Sequence, residues 1–143
     1  MKLSDAVSAL LGDMQADQGG YARLRELLDA QFEAALAHSA TRLTSLAQEI
    51  VGQVEQLDGR RARRAALLQR LAAPGEEASM SGLLQRLPQP VAERLTVSWQ
   101  ALEQQVRECK QINQRNCHLI TEQQALMQRL LGRDQPSYGE LSC

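Results

Sequence analysis

Apolar residues recur at helical spacing along almost the whole chain. Val7, Leu10, Leu11 and Met14 mark the first stripe, with Ser4 placed to cap it, and predict a short amphipathic helix over residues 4–18. Gly19-Gly20 then breaks the pattern. From Tyr21 to Ala73 no proline intervenes. Leu36, Leu43, Ile50 and Leu57 keep a seven-residue beat there, beside a less regular row through Phe32, Leu46 and Val54. The spacing predicts one long helix over 21–73. At about 1.5 Å per residue it would span roughly 75 Å, more than a compact chain of this size can enclose. Such a helix needs a partner along its length.

Residues 74–89 are the clear interruption. Pro74-Gly75 stops the helix, Ser79 or Ser81 can cap a turn carrying Leu83, Leu84 and Leu87, and Pro88 and Pro90 close it. The segment reads as a corner where the chain reverses. A second long helix is predicted over 90–131, with Val91, Leu95, Trp99, Leu102, Val106, Cys109, Ile120, Met127 and Leu130 on its stripe. Gly132 ends it, and 132–143 is expected to be a mobile polar tail carrying one aromatic, Tyr138. The fold class is therefore all-α. The expected architecture is an extended antiparallel bundle or coiled coil of two long helices, with a short N-terminal helix and a helical corner, in one domain over 1–131.

The second long helix carries an anomaly. In "CKQINQRNCHLITEQQALMQRLL", residues 109–131, continuing the register from Cys109 puts Asn113 and Asn116 on the seam that should be apolar. Two readings stand. Either the amides bond inside the bundle and set its register, at some cost in stability, or the chain leaves this seam unsealed. In the second case a polar notch lies beside an apolar strip of Leu119, Ile120, Leu126, Met127 and Leu130. That strip would accept an amphipathic helix of another protein, and its Met would help it adapt to more than one.

Composition supports helices: 43% of residues are hydrophobic, only 3% are aromatic, and the apolar mass is Leu and Ala. A net charge of −1 gives no sign of nucleic acid as a partner. No apolar run reaches the roughly 18 residues of a membrane span. Ser4, Asp5 and Ser8 interrupt what would be the apolar core of a secretion signal, so the chain is expected in the cytoplasm. Three cysteines, an odd number, then point to reduced thiols.

Candidate chemistry is sparse. His38 and His118 are the only imidazoles. Cys117 and His118 are neighbours, about 100° apart round a helix, and make no nucleophile–base pair. Cys109 and Cys117 lie about 12 Å apart at their backbones, too far to share a zinc ion at about 2.3 Å per bond. No catalytic, cofactor or metal residue is assigned. The run Arg60, Arg61, Arg63 and Arg64 reads either as a basic patch for an acidic partner or nucleic acid, or as a solvated helix end. The arginines point two ways without interleaved aromatics and complement the helix dipole, which favours the solvated end. Tyr138 is a lone aromatic able to anchor a short docking motif.

Three stretches resemble the FlgN-type flagellar export chaperones. These are "LLDAQFEAALAHSATRLTSLAQEIVGQVEQLDGRR" at 27–61, "CKQINQRNCHLI" at 109–120 and "SYGELS" at 137–142. The second is the specific one, although Cys117 stands where the family pattern has Gly. The resemblance implies a cytoplasmic, non-enzymatic chaperone of the flagellar type III export system. It would bind helical C-terminal regions of hook-filament junction (hook-associated) proteins, prevent their premature assembly and deliver them to the export gate. It places Asn113, Asn116, Leu119 and Ile120 in the cargo-binding helix and makes Tyr138 the gate-docking candidate. Monomer and weak homodimer are both compatible. The rival reading is a homodimerising coiled-coil scaffold, which would stay dimeric when mixed with cargo.

Overall fold

A computed structural model describes residues 2–76 and 78–132 of the chain. Four helices follow one another: α1 (Leu3–Leu36), α2 (Ala40–Leu71), α3 (Met80–Gln85) and α4 (Gln89–Leu131). No strand occurs among the described residues, and the all-α expectation holds. The long helices are divided differently from the expectation, however. Gly19-Gly20 does not end a helix: α1 runs straight through it, and the break falls at residues 37–39 instead.

Both differences have physical causes. Gly20 is buried where α2 crosses closely. A Cβ there would stand 2.7 Å from the Arg60 guanidinium and 2.8 Å from a Leu57 methyl. The glycine serves the approach of two helices, and that packing outweighs its poor helix propensity of about 1 kcal/mol. The real break is a turn without Gly or Pro. His38 takes a left-handed backbone, φ 53°. The Ser39 amide donates to Ala34 O and the His38 amide to Ala35 O, which closes α1 with paired end bonds. The Ser39 hydroxyl then accepts from the Arg42 amide and starts α2.

α1 is the shared partner. α2 returns antiparallel to it, so Asp17 meets Arg60 and Arg64 while Arg23 faces Glu49. α4 runs parallel to α1 at a constant offset, with Tyr21 beside Cys109, Leu28 beside Asn116 and Ala35 beside Gln123. The backbone of the six-residue α3 lies against α2 and α4 but not against α1, and the α2 and α4 backbones do not pack on each other. The helices thus stand at four corners in the order α1, α2, α3, α4, and α3 fills only one end of its corner.

The core follows this plan. At the α3 end, Leu10, Met14, Leu67, Met80, Leu83, Leu95 and Leu102 bring all four helices together. Midway, Leu24, Leu28 and Leu57 pack with Cys109. Near the 37–39 turn the buried cluster is Leu27, Ala34 and Leu46, from α1 and α2 alone.

Candidate functional site

The amides of α4 come first, because they set where its apolar residues point. Side chains of α4 reach backbone carbonyls of α1 at seven-residue intervals. Cys109 Sγ donates to Tyr21 O at 3.6 Å, Asn116 Nδ2 to Leu28 O at 2.7 Å and Gln123 Nε2 to Ala35 O at 2.9 Å. Asn116 is fully buried. Its Nδ2 also donates to Gln31 Oε1 at 2.9 Å, and its Oδ1 accepts from the Arg115 guanidinium at 3.1 and 3.2 Å. That guanidinium stacks 3.8 Å over the Phe32 ring and pairs with Asp29. Every polar atom of the Asn116 amide is engaged inside the chain, so it is a register device and not an open notch. Asn113 is half-buried and makes no side-chain hydrogen bond among the described residues.

The apolar strip divides into two parts. Ile120 is buried and Leu119 half-buried, while Leu126, Met127 and Leu130 are exposed, Leu130 by 73%. The parallel register explains the split. Gln123 stands opposite Ala35, and α1 ends at Leu36. Residues 124–131 of α4 therefore run about 12 Å past the last turn of α1. Positions 126, 127 and 130 lie seven beyond 119, 120 and 123, so they continue the stripe that α1 covers and are bare because α1 has stopped. Leu131, which the sequence reading omitted, is exposed beside them.

A second apolar surface lies between α2 and α4. Leu43, Ala47 and Val51 of α2 form one wall, Gln31 of α1 contributes to the floor, and Ile120 of α4 stands opposite, around an open volume of about 640 Å³. Val51 is 56% exposed, and Val54 one turn on is exposed as well. Periodicity alone puts Leu43 and Val54 on helix rows and does not single out Ala47 or Val51; the groove comes from α2 and α4 standing apart.

The arginine run is only partly a solvated helix end. Arg60 Nε and Arg64 Nη1 grip the two oxygens of Asp17 at 2.5 and 2.6 Å, and Asp17 is 1% exposed. Arg64 also lies over the Trp99 ring at 5.6 Å. Arg61 does face solvent, paired with Asp58. The signal for this cluster was Asp17 itself, which falls on the buried stripe of Leu10, Met14, Leu24 and Leu28 once the helix is read through the glycines.

Among the described residues no group of three His, Cys, Asp or Glu could hold a metal ion, and no helix is long and apolar enough to cross a membrane. Burial pushes the Cys109 thiol and the Tyr21 phenol above their ordinary values, which keeps both neutral. Such a thiol is a packing group and not a nucleophile. Tyr138 lies outside the described residues. Compared with known families, the chain matches the FlgN protein family over residues 1–132. No curated protein matches it, and no solved structure does.

Proposed function

We infer the function from one premise: the chain belongs to the FlgN protein family, whose members are flagellar export chaperones and not enzymes. We propose that it works in the cytoplasm for the flagellar type III export system. It holds the helical C-terminal regions of hook-filament junction proteins, keeps them from assembling early and brings them to the export gate. The observation that carries this reading is the length mismatch of α1 and α4, which leaves Leu126, Met127, Leu130 and Leu131 without cover. A client helix laid on that strip takes the place of the missing turns of α1. Leu119 and Ile120 join the strip to the core, Asn113 lies further along the same helix, and Asn116 holds α4 in the register that presents it. A specific complex of this kind buries roughly 1,000 Å² or more in total. Tyr138 serves a separate step, docking at the gate.

The scaffold reading needs the asparagines to set register between two copies. Asn116 has all its partners within one chain, which removes that support.

The test is a double variant, Leu126→Asp with Leu130→Asp. Both positions are exposed, so helicity by circular dichroism should not change. Affinity for C-terminal segments of hook-filament junction proteins, measured by titration calorimetry, should fall at least about tenfold, the equivalent of about 1.4 kcal/mol. Undiminished affinity would sink the strip as the client site. Tyr138→Ala should leave this affinity alone and reduce recruitment to the export gate; weaker client binding would refute the separation of roles.

A further inference from the structure

We propose that the fourth corner, open among the described residues as the groove between α2 and α4, is also part of the client site. An amphipathic helix of the client about four turns long fills it, continuing the line of α3; this rests on the chaperone reading above. The first support is the packing order. The backbone of α3 lies close to those of α2 and α4 and not to that of α1, so α3 occupies the corner diagonal to α1, but it is only six residues long. Beyond it toward the 37–39 turn the corner stays open as the groove walled by Leu43, Ala47, Val51 and Ile120.

The second support is the face that α2 turns to this corner. Leu46, Ile50 and Leu57 pack against α1. Ala40, Ala47, Val51 and Val54 form a different stripe, about a quarter turn round the helix, with Leu43 at its edge, where it also packs on the Leu27, Ala34 and Leu46 cluster. Two adjacent faces a right angle apart are what a corner of a four-helix bundle requires, and only one is covered. From Ala40 to Val54 the stripe runs about 21 Å, or four turns.

The third support is the chemistry of what already sits in that corner. α3 and the residue just beyond its cap present Met80, Leu83, Leu84 and Leu87, the spacing i, i+3, i+4 and i+7 of an amphipathic helix, with Met80 and Leu83 buried. The open part of the groove asks for more of the same, because its polar lining, Gln31, Thr44 and Gln48, is uncharged. The occupant is therefore a helix with an apolar face and uncharged flanks. Residues 133–143, "RDQPSYGELSC", hold one Leu and one aromatic, fewer apolar residues than the five-position stripe calls for. Ile120, the groove's α4 wall, lies on the same helix as exposed Leu126, Met127 and Leu130, so one client helix or two in succession can engage both surfaces.

The test places a photo-crosslinking benzoylphenylalanine at Val51 and, as control, at Val97, which is 68% exposed on α4. The full-length protein is irradiated with synthetic peptides of the C-terminal segments of the hook-filament junction proteins from the same genome. Crosslinks from position 51 and none from position 97 are expected. The double variant Ala47→Glu with Val51→Glu should bind the same peptides at least tenfold more weakly with unchanged helicity. The proposal is overturned if a peptide that binds the wild-type protein neither crosslinks at 51 nor loses affinity for the variant. Crosslinks from 51 to a second copy, or to residues 133–143, would also overturn it. Binding lost only on replacing Leu126 and Leu130 would remove the corner and leave the chaperone reading intact. If no junction peptide binds the wild-type protein, both fall together.

Discussion

Asn116 shows what one side chain does when it is polar, buried and satisfied. An amide on a helix seam loses its water, and only a full set of partners offsets that loss. Here the carbonyl of Leu28, the amide oxygen of Gln31 and the guanidinium of Arg115 supply them. The bond to a backbone carbonyl fixes α4 along α1, since a slip of one residue would put the amide against apolar side chains. Asn116→Ala removes these bonds and leaves a small void, so unfolding free energy by urea titration should fall by about 2 kcal/mol. Gln31 and Arg115 can still turn to water, which keeps the loss from growing larger. A change below about 0.5 kcal/mol would mean the amide does not hold the register. The sequence placed Asn116 on the seam but left two roles open, because its α1 partners Leu28 and Gln31 lie 88 and 85 residues away.

At the scale of helices, the glycine pair gives a test with opposite signs at adjacent positions. Nothing lies within 4 Å of a Cβ built on Gly19, whereas one on Gly20 meets Leu57 and the guanidinium that Asp17 holds. Gly19→Ala should therefore stabilise by up to about 1 kcal/mol through helix propensity alone. Gly20→Ala gains the same propensity, but it must push α2 away or pull Arg60 off a buried carboxylate, and overpacking of that kind costs about 1–3 kcal/mol. Thermal melts of the two variants should move in opposite directions; a shared direction would refute the close-approach explanation. This contrast also marks what the sequence could reveal. α4 was legible because its four-and-three spacing runs on from Val91 to Leu130. α1 was divided wrongly because Gly-Gly usually ends a helix, although Leu10, Met14, Asp17, Tyr21, Leu24 and Leu28 keep their spacing across it. The true break, Ala37-His38-Ser39, has only a serine cap to announce it. The candidate strip was visible as a period, but which of its residues are bare depends on where α1 stops, and that is a property of the packing.

Across the whole molecule, cover declines from one end to the other. At the α3 end four helices share a core; midway three do; past the 37–39 turn Leu126, Met127, Leu130 and Leu131 of α4 are exposed. Local stability should follow the same gradient, because an isolated helical turn opens far more easily than a packed one. Amide hydrogen exchange of the free protein should report opening energies of about 1 kcal/mol or less over 126–131. Over 95–116 they should be several kcal/mol, approaching that of global unfolding. Residues 40–54 of α2, packed on one face and open on another, should fall between. The gradient matters for function because the least protected segments are the ones proposed to meet the client, so binding can order them without dismantling the core. A client peptide should then slow exchange in 126–131 and 40–54 and leave residues 10–14 and 95–102 unchanged. Uniform protection along α4 in the free protein would show that something already covers its far end, and the bare strip would lose its place as a docking surface.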